Sequence, residues 1–386
     1  FLTDKDICMD RRNFLKIGTV GAIGLGVSLR DRSVLAATNT VLYDDRVVVL
    51  AVREEQPEAL WIHALDLPSI NGFEIKPEGA CRADICIPLP DDMTQGEYFN
   101  LTAFAKKIGQ VVVVDKDAGV WSFGEIPAFR SGLLSSRIAP NFAVPNQQGQ
   151  LIRLSDFLGK KVLLVTWASW CGCRFDLPHW QKLYEELKSK NFEIILVAED
   201  TGGEAVTARW YKGAQVTCTA LVDPSHAVSS AFDFVNVPAG VWIDEEGRVA
   251  RPGEPAWATD NKYEFGDKVI LTEGTRYVEA VRNWVDQGVD SPYVLSDAEF
   301  EKRVQVPSMV AMEADAVFKL AVWFRQTGEQ TKAQAYFQRA QQLDPDNWNY
   351  HRQDWSFRSD GGQQWMEKFQ QLDEDYYPKL KLLLGQ

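Results

Sequence analysis

The chain has 386 residues, which is long enough for two or three domains that each bury a core. Its composition, 45% hydrophobic and 25% charged, is typical of a soluble globular protein. The formal net charge of −13 argues against nucleic acid and anionic membrane surfaces as partners, because both repel an acidic protein. Since no run of about eighteen apolar residues occurs, the sequence also predicts no membrane span.

The N-terminal segment, residues 1–37, has the pattern of a targeting sequence. Arg11-Arg12, followed by Asn13-Phe14-Leu15-Lys16, resembles the twin-arginine export motif, and residues 17–29 form a short glycine-rich apolar stretch. Ala36-Ala37 supplies the small residues of a cleavage site. The alternative is a chance Arg-Arg pair beside a core helix. We expect an exported protein, periplasmic or otherwise extracytoplasmic.

Residues 38–132 predict a small α/β domain of unknown role. Apolar runs at 46–52 and 110–114 are typical of strands, and 101–107 has helical spacing. Cys81 and Cys86 lie five positions apart in a predicted loop, where a turn could bring them close enough to bond. A structural disulfide is the first interpretation. A second redox pair, part of a metal site and two free thiols stay open as alternatives.

The most informative feature is a cysteine pair, Cys171 and Cys173, directly after the apolar run 161–165. That run predicts a buried strand, and residues 174–187 have the apolar spacing of a helix. The cysteines therefore lie where a strand ends and a helix begins. Unpaired N–H groups and the helix dipole at such a position lower the pKa of a thiol and favour the reactive thiolate. The pattern predicts a redox site.

The flanking segments carry a family resemblance that covers about residues 138–285. The stretches 138–145 and 154–160, then Trp170-Cys171 and 176–178, resemble exported thioredoxin-like thiol–disulfide oxidoreductases, which are related to the redoxin and AhpC/TSA proteins. Residues 235–238 resemble the cis-proline loop of that family. The resemblance implies a thioredoxin-like fold in which Trp170 shields the active sulfur and Pro238 aligns the substrate chain.

One departure from the family lies between the cysteines, where Gly172 stands alone in place of two residues. Residues two apart on a helix diverge by about 200°, so a Cys171–Cys173 disulfide requires the first turn to open. We expect Gly172 to permit this through unusual φ/ψ angles. The alternatives are a metal-holding Cys-X-Cys pair and a degenerate site without turnover.

Beyond the cysteines, residues 253–275 predict a loop-rich insertion and 276–287 a closing helix. Ser296 and Glu299 form a capping box. Residues 314–347 match one tetratricopeptide-like repeat, which is too little for a solenoid. The predicted architecture is α/β, with a thioredoxin-like central domain, a small N-terminal α/β domain and a C-terminal helical region. Its segments are 1–37, 38–132, 133–288 and 289–386.

Other titratable groups give weaker indications. Asp176 and Glu199-Asp200 could accept a proton from Cys173, although carboxylates at strand ends are usually caps. His179 is expected to be a solvated helix residue, and Cys218 an inert buried thiol in a strand.

Three functions are compatible with the sequence. The first is an exported thiol–disulfide oxidoreductase in which Cys171 attacks and Cys173 resolves. The second is a thiol peroxidase with antioxidant activity, which the position of Thr166 does not favour. The third is a Cu(I) carrier, which lacks a supporting Met-rich or His-rich stretch. We expect no cofactor and no resident metal, protein thiol or disulfide substrates, a redox partner, and possible protein contacts through the C-terminal helices.

Overall fold

A computed structural model describes residues 38–44, 46–51, 59–82, 85–127, 136–304, 306–373 and 376 of the chain. The segment that contains Arg11 and Arg12 lies outside the described residues, and export stays a prediction. Strands and helices are mixed along the described part, which confirms the predicted α/β class. None of the helices described combines the length and apolar character that crossing a membrane requires.

The N-terminal part is built from short strands around an aromatic and aliphatic core. A four-stranded sheet has the order β2-β1-β10-β9, and two three-stranded sheets have the orders β3-β8-β7 and β4-β5-β6. The predicted helix is confirmed, because α2 spans Leu101–Lys107. The bounds are β1 Thr38–Tyr43, β2 Arg46–Ala51, β3 Trp61–His63, α1 Leu67–Asn71, β4 Glu74–Lys76, β5 Gly79–Arg82, β6 Ile85–Ile87, β7 Thr94–Gln95, β8 Tyr98–Asn100, α2 Leu101–Lys107, β9 Val112–Asp115 and β10 Val120–Phe123.

The central part contains a five-stranded mixed sheet of order β15-β14-β13-β16-β17. The pairs β13–β14 and β14–β15 are parallel, and β13–β16 and β16–β17 are antiparallel. The bounds are β11 Ala143–Pro145, β12 Leu151–Arg153, β13 Lys161–Trp167, α3 Leu177–Leu187, β14 Phe192–Ala198, α4 Glu204–Gly213, β15 Thr219–Val222, α5 Ala227–Phe232, β16 Gly240–Ile243, β17 Val249–Glu254, β18 Asp260–Phe265, β19 Lys268–Glu273 and α6 Gly274–Gln287.

The middle strand β13 is apolar on both faces because both faces of the sheet are covered. Leu163 and Val165 belong to the cluster with α3 and α6, whereas Val162 and Leu164 belong to the cluster with α5 on the other face. A strand buried on both sides reads as a continuous apolar run, which is why the sequence predicts it so clearly. The end of β13 delivers the chain to the cysteines.

The prediction of a loop-rich insertion is wrong, because the segment forms regular strands. Residues 253–275 contain the end of β17 and a regular antiparallel hairpin, β18–β19, with a six-residue register. Apart from the buried Thr272, its strands alternate between exposed and half-buried side chains, and most of the side chains are polar. Such a hairpin has little apolar signal, so the sequence resembled a loop. The helix that follows begins at Gly274, two residues before the predicted start.

The C-terminal part is helical, as predicted, and packs on the rest of the chain. Its helices α8 and α9 form a hairpin whose apolar face contacts Leu42, Val113 and Val120 of the N-terminal sheet. The capping box of Ser296 and Glu299 opens α7 as predicted. The tetratricopeptide-like character of 314–347 stays a prediction. The bounds are α7 Asp297–Arg303, α8 Met309–Thr327, α9 Gln330–Leu343, α10 Trp348–Trp355 and α11 Gly361–Gln370.

Candidate functional site

The cysteine turn joins the end of β13 to α3. Cys171 has extended backbone angles (φ −96°, ψ 143°) and caps a 3-10 turn over Gly172–Asp176, after which α3 begins at Leu177. The predicted helical start at residue 174 is therefore a 3-10 turn. Because Cys171 precedes the turn rather than lying in it, the two sulfurs meet, and they are bonded with 5.2 Å between the Cα atoms.

The glycine between the cysteines has a different role from the expected one. Gly172 does not adopt a positive φ, so the expectation that it supplies unusual backbone angles is wrong. A Cβ atom at this position would meet nothing within 4 Å. Gly172 is exposed, whereas Cys171 and Cys173 are each only 2% exposed. Position 172 thus lies at the surface without a side chain, between two cysteines that are buried.

The loop that faces the cysteines contains Pro238, and the peptide bond between Val237 and Pro238 is cis. The carbonyl oxygen of Val237 lies 3.6 Å from Cys171 Sγ. Thr166 of β13 anchors the loop, because its N–H donates to the Ala239 carbonyl at 2.8 Å and its hydroxyl accepts from the Ala239 N–H at 3.1 Å. The structure therefore brings Cys171, Cys173 and Pro238 together, as the resemblance implied.

The sulfur of Cys171 has a backbone donor of its own. The N–H of Cys173 donates to Cys171 Sγ at 3.2 Å. A donor in this position stabilises negative charge on the sulfur when the bond is reduced. A backbone N–H directed at the sulfur is the kind of group that the prediction of a reactive thiolate at a strand-to-helix junction relied on.

A residue that the sequence gave no reason to select completes the site. Arg352, on α10, lies with its guanidinium 4.6 Å from the ring centre of Trp170. It donates to the side-chain oxygen of Asn236 at 2.6 Å and to the Val237 carbonyl at 2.9 Å. The guanidinium and Cys171 Sγ thus share one carbonyl oxygen. Arg352 is 179 positions after Cys173, and no local pattern marks it.

Helix α10 is held on the facing loop by further hydrogen bonds. The Asn349 N–H donates to the Val235 carbonyl at 3.1 Å, and the Asn349 amide donates to the Phe234 carbonyl at 3.0 Å. Gln353 accepts from the Thr201 N–H at 3.1 Å. These groups are buried, so the C-terminal helical region forms part of the wall of the site.

The carboxylates that the sequence offered as proton acceptors have other hydrogen-bond partners. Asp176 accepts from the Ala258 N–H at 2.8 Å and from the Thr259 hydroxyl, and so joins the turn to the approach to β18. Burial raises its pKa. Asp200 accepts from the Ser169 N–H at 3.2 Å and from its hydroxyl, two residues before Cys171. Asp200 therefore orders the segment that leads into the cysteines.

Glu199 is fully buried and is bound by Ser229, whose N–H donates to it at 2.7 Å and whose hydroxyl donates to its second oxygen. Burial, and next the charge of Asp223, raise the pKa of Glu199 to about 8. His226 lies 4.0 Å away, and burial lowers its pKa to about 4. Burial thus favours the protonated form of Glu199, and the hydrogen bonds with Ser229 join the end of β14 to α5.

The other cysteines lie apart from this turn. Cys81 and Cys86 are directly opposite each other on β5 and β6, bonded, with 4.1 Å between their Cα atoms. The expected loop placement is wrong, because both residues lie in strands. Their sulfurs and Glu78 lie within 4.8 Å of one another, so the reduced pair would offer a partial metal site. Cys218 is buried just before β15 rather than within a strand, and burial raises its pKa.

Comparison with known proteins addresses the segment that carries the cysteine turn. Residues 136–251 match the AhpC/TSA family. The chain is 32% identical over 112 residues to the thiol-disulfide oxidoreductase ResA of Bacillus thuringiensis subsp. konkukian (strain 97-27), which covers 29% of this chain. The chain spans 64% of that relative's length. It is also 28% identical over 146 residues to the ResA of Bacillus subtilis (strain 168), which covers 38% of this chain and 81% of the relative.

Among solved structures, the chain is similar to the pneumococcal exposed lipoprotein thioredoxin of Streptococcus pneumoniae strain TIGR4. The two are 31% identical, the match covers 31% of this chain and 90% of that one, and the TM-score is 0.28. For residues 136–251, the family match and the curated relatives support the expected resemblance to thioredoxin-like proteins and an oxidoreductase activity.

Proposed function

We propose that this chain is an exported thiol–disulfide oxidoreductase that exchanges disulfides with protein substrates through Cys171 and Cys173. The observation that carries the proposal is the position of Cys171 Sγ between the Cys173 N–H, at 3.2 Å, and the Val237 carbonyl of the cis-proline loop, at 3.6 Å. A thiol held at the start of a helical turn by a backbone donor is suited to act as a thiolate nucleophile.

The exchange has two steps. The Cys171 thiolate attacks one sulfur of a substrate disulfide, forming a mixed disulfide and releasing the other substrate sulfur as a thiolate. The Cys173 thiolate then attacks Cys171 Sγ and expels the second substrate thiolate. Two electrons pass from the dithiol to the substrate, and a dithiol partner must then reduce Cys171–Cys173 again. Run in reverse, the same steps oxidise a substrate dithiol.

The surrounding residues have distinct roles in this proposal. The Trp170 indole, with the Arg352 guanidinium 4.6 Å from its ring centre, shields the sulfur of Cys171. Pro238 shapes the loop against which a substrate chain aligns. Export is supported by the Arg11-Arg12 pattern and by two bonded cysteine pairs, since disulfides persist mainly in oxidising compartments.

The test compares three cysteine variants of the full chain. Cys173→Ser should accumulate mixed disulfides with substrate proteins, because Cys171 can attack but its adduct is not resolved. Cys171→Ser should form none, and Cys218→Ser, a buried cysteine outside the turn, should behave as the wild type. Trapping by Cys171→Ser instead would reverse the two roles.

The same preparation distinguishes the other functions. Insulin reduction, peroxide turnover and bound metal are measured side by side on the folded protein. Reduction of insulin without peroxide turnover supports the proposal. If neither cysteine variant traps a partner and the wild type carries stoichiometric copper, the protein is a metal carrier and the proposal fails.

A further inference from the structure

Beside the cysteine turn lies a surface made of two arginines and two aromatic rings, which we call the arginine–tryptophan patch: Arg174, Phe175, Arg209 and Trp210. The guanidiniums of Arg174 and Arg209 lie 4.9 Å and 5.0 Å from the centre of the Trp210 ring. Phe175 stands edge-on to Trp210 at 5.8 Å and is 59% exposed. The patch joins the 3-10 turn to α4.

Neither of the two positive charges of the patch has an ion-pair partner among the residues that the structure describes. In the part of the chain that the structure describes, no carboxylate oxygen lies within 4.0 Å of either guanidinium. Burial, and next the charge of Arg209, lower the pKa of Arg174. Two like charges are thus held against the same ring although the chain as a whole carries −13. An anionic partner would relieve this repulsion.

The patch also contains two hydrogen-bond donors that are not satisfied in the described part of the chain. The Trp210 indole N–H and the Arg174 Nε–H are buried and have no partner among the residues that the structure describes. Aromatic rings combined with arginine are the residues that dominate the energetics of protein interfaces. The patch therefore has the chemistry of a recognition surface for a protein that brings carboxylates.

The position of the patch connects it to the reaction. Arg174 donates from its guanidinium to the Cys171 carbonyl at 2.6 Å, so the patch begins at the residue that is proposed to attack. While the substrate sulfur is at Cys171, an acidic side chain within a few residues of the substrate cysteine would reach the arginine–tryptophan patch. Attraction between opposite charges raises association rates and selects among partners.

We propose that the arginine–tryptophan patch makes this protein selective for acidic substrates, by binding aspartate or glutamate side chains that flank the substrate disulfide. This inference rests on the proposed disulfide exchange. It adds the class of substrate, which neither the cysteine pair nor the cis-proline loop determines.

The test uses the reduced full chain and three synthetic peptides that share one disulfide. The residues flanking the cysteines are aspartate and glutamate in the first peptide, serine in the second, and lysine in the third. Exchange rates are measured at 20 mM and at 500 mM salt. At low salt we expect the acidic peptide to react roughly tenfold faster than the basic one, and the ratio to approach one at high salt.

The variants assign the preference to the patch. Arg209→Gln is the main variant, because Arg209 contacts Trp210 and lies on α4 rather than in the cysteine turn. It should reduce the acidic-to-basic rate ratio at least threefold, and Arg209→Lys should keep most of the ratio. Lys106→Gln removes the same charge from an exposed position at the end of α2 and should leave the ratio as in the wild type.

Two failures are distinguishable. If none of the three peptides reacts, the proposed disulfide exchange is wrong. If all three react at rates within a factor of two at low salt, exchange stands and the selectivity is refuted. Exchange also stands, but the assignment to the patch is refuted, if the acidic-to-basic ratio is unchanged in Arg209→Gln or falls equally in Arg209→Gln and Lys106→Gln, since equal falls would mean that net charge alone explains the preference.

Discussion

Replacement of Arg352 by methionine should lower the fraction of Cys171 that is ionised to the thiolate. The guanidinium and Cys171 Sγ contact the same Val237 oxygen, at 2.9 Å and 3.6 Å, so the two groups lie at most about 6.5 Å apart. At an effective dielectric constant of about 20, full charges at that distance attract by about 3 kcal/mol. Arg352 is half-buried, and solvent screening reduces this to about 1 kcal/mol, or roughly fivefold in thiolate population.

The assay measures how fast iodoacetamide alkylates Cys171 across a range of pH. The background carries Cys173→Ser, so that Cys171 stays reduced, and mass spectrometry of its peptide excludes signals from the other cysteines. The rate at high pH, where the thiol is fully ionised, reports access to the sulfur. The rate at pH 6 divided by that plateau reports the thiolate fraction and should fall about fivefold in Arg352→Met.

Two comparisons separate charge from packing. Arg352→Lys keeps the positive charge and should recover most of the ratio, although it loses the planar contact with Trp170. Arg358→Met removes an equal charge that pairs with Asp354 at 2.6 Å and should leave the ratio unchanged. A higher plateau in Arg352→Met with an unchanged ratio would refute the electrostatic role and leave Arg352 as a cover only.

Three further outcomes are expected. Because the pKa of Glu199 lies above its ordinary value of 4.5, the folded state keeps a proton that the unfolded state loses, and stability should fall as pH rises from about 4.5 to about 8. Glu199→Gln should make the free energy of unfolding from urea titrations depend less on pH in this range, and a variant whose pH dependence is the same as that of the wild type would contradict this. Asn349→Ala, which leaves the buried Phe234 carbonyl without its donor, should lower the free energy of unfolding by about 1–2 kcal/mol; no change would show that α10 is held by packing. A reporter fused to residues 9–40 should be exported in the wild type and retained when Arg11-Arg12 is Lys-Lys, and undiminished export would reject the twin-arginine prediction.

The local elements could be predicted where a short stretch of chain carries a complete physical pattern. The buried strand β13 reads as an unbroken apolar run, and α2 has the predicted bounds because Asn100 caps its start and apolar residues line one face. The cysteine pair could be placed at a strand-to-helix junction for the same reason. Even there, the structure differs from the prediction: Cys171 has an extended backbone and lies before a 3-10 turn instead of within a helical turn. Capping and the 3-10 turn depend on hydrogen bonds that the spacing of residues does not specify.

The tertiary structure alone determined the groups that surround the cysteines. Arg352 reaches Val237 across 115 residues, and Ser169 is bound by Asp200 across 31. Contacts at such separations leave no periodic signal in the sequence, since any surface arginine has the same local context. The elevated pKa of Glu199 likewise follows from burial and from Asp223, which only the folded chain provides. The sequence by itself therefore determined which cysteine pair is proposed to react, and the packing of α10 on the cis-proline loop determined the electrostatic surroundings of that pair, because charge acts through space rather than along the chain.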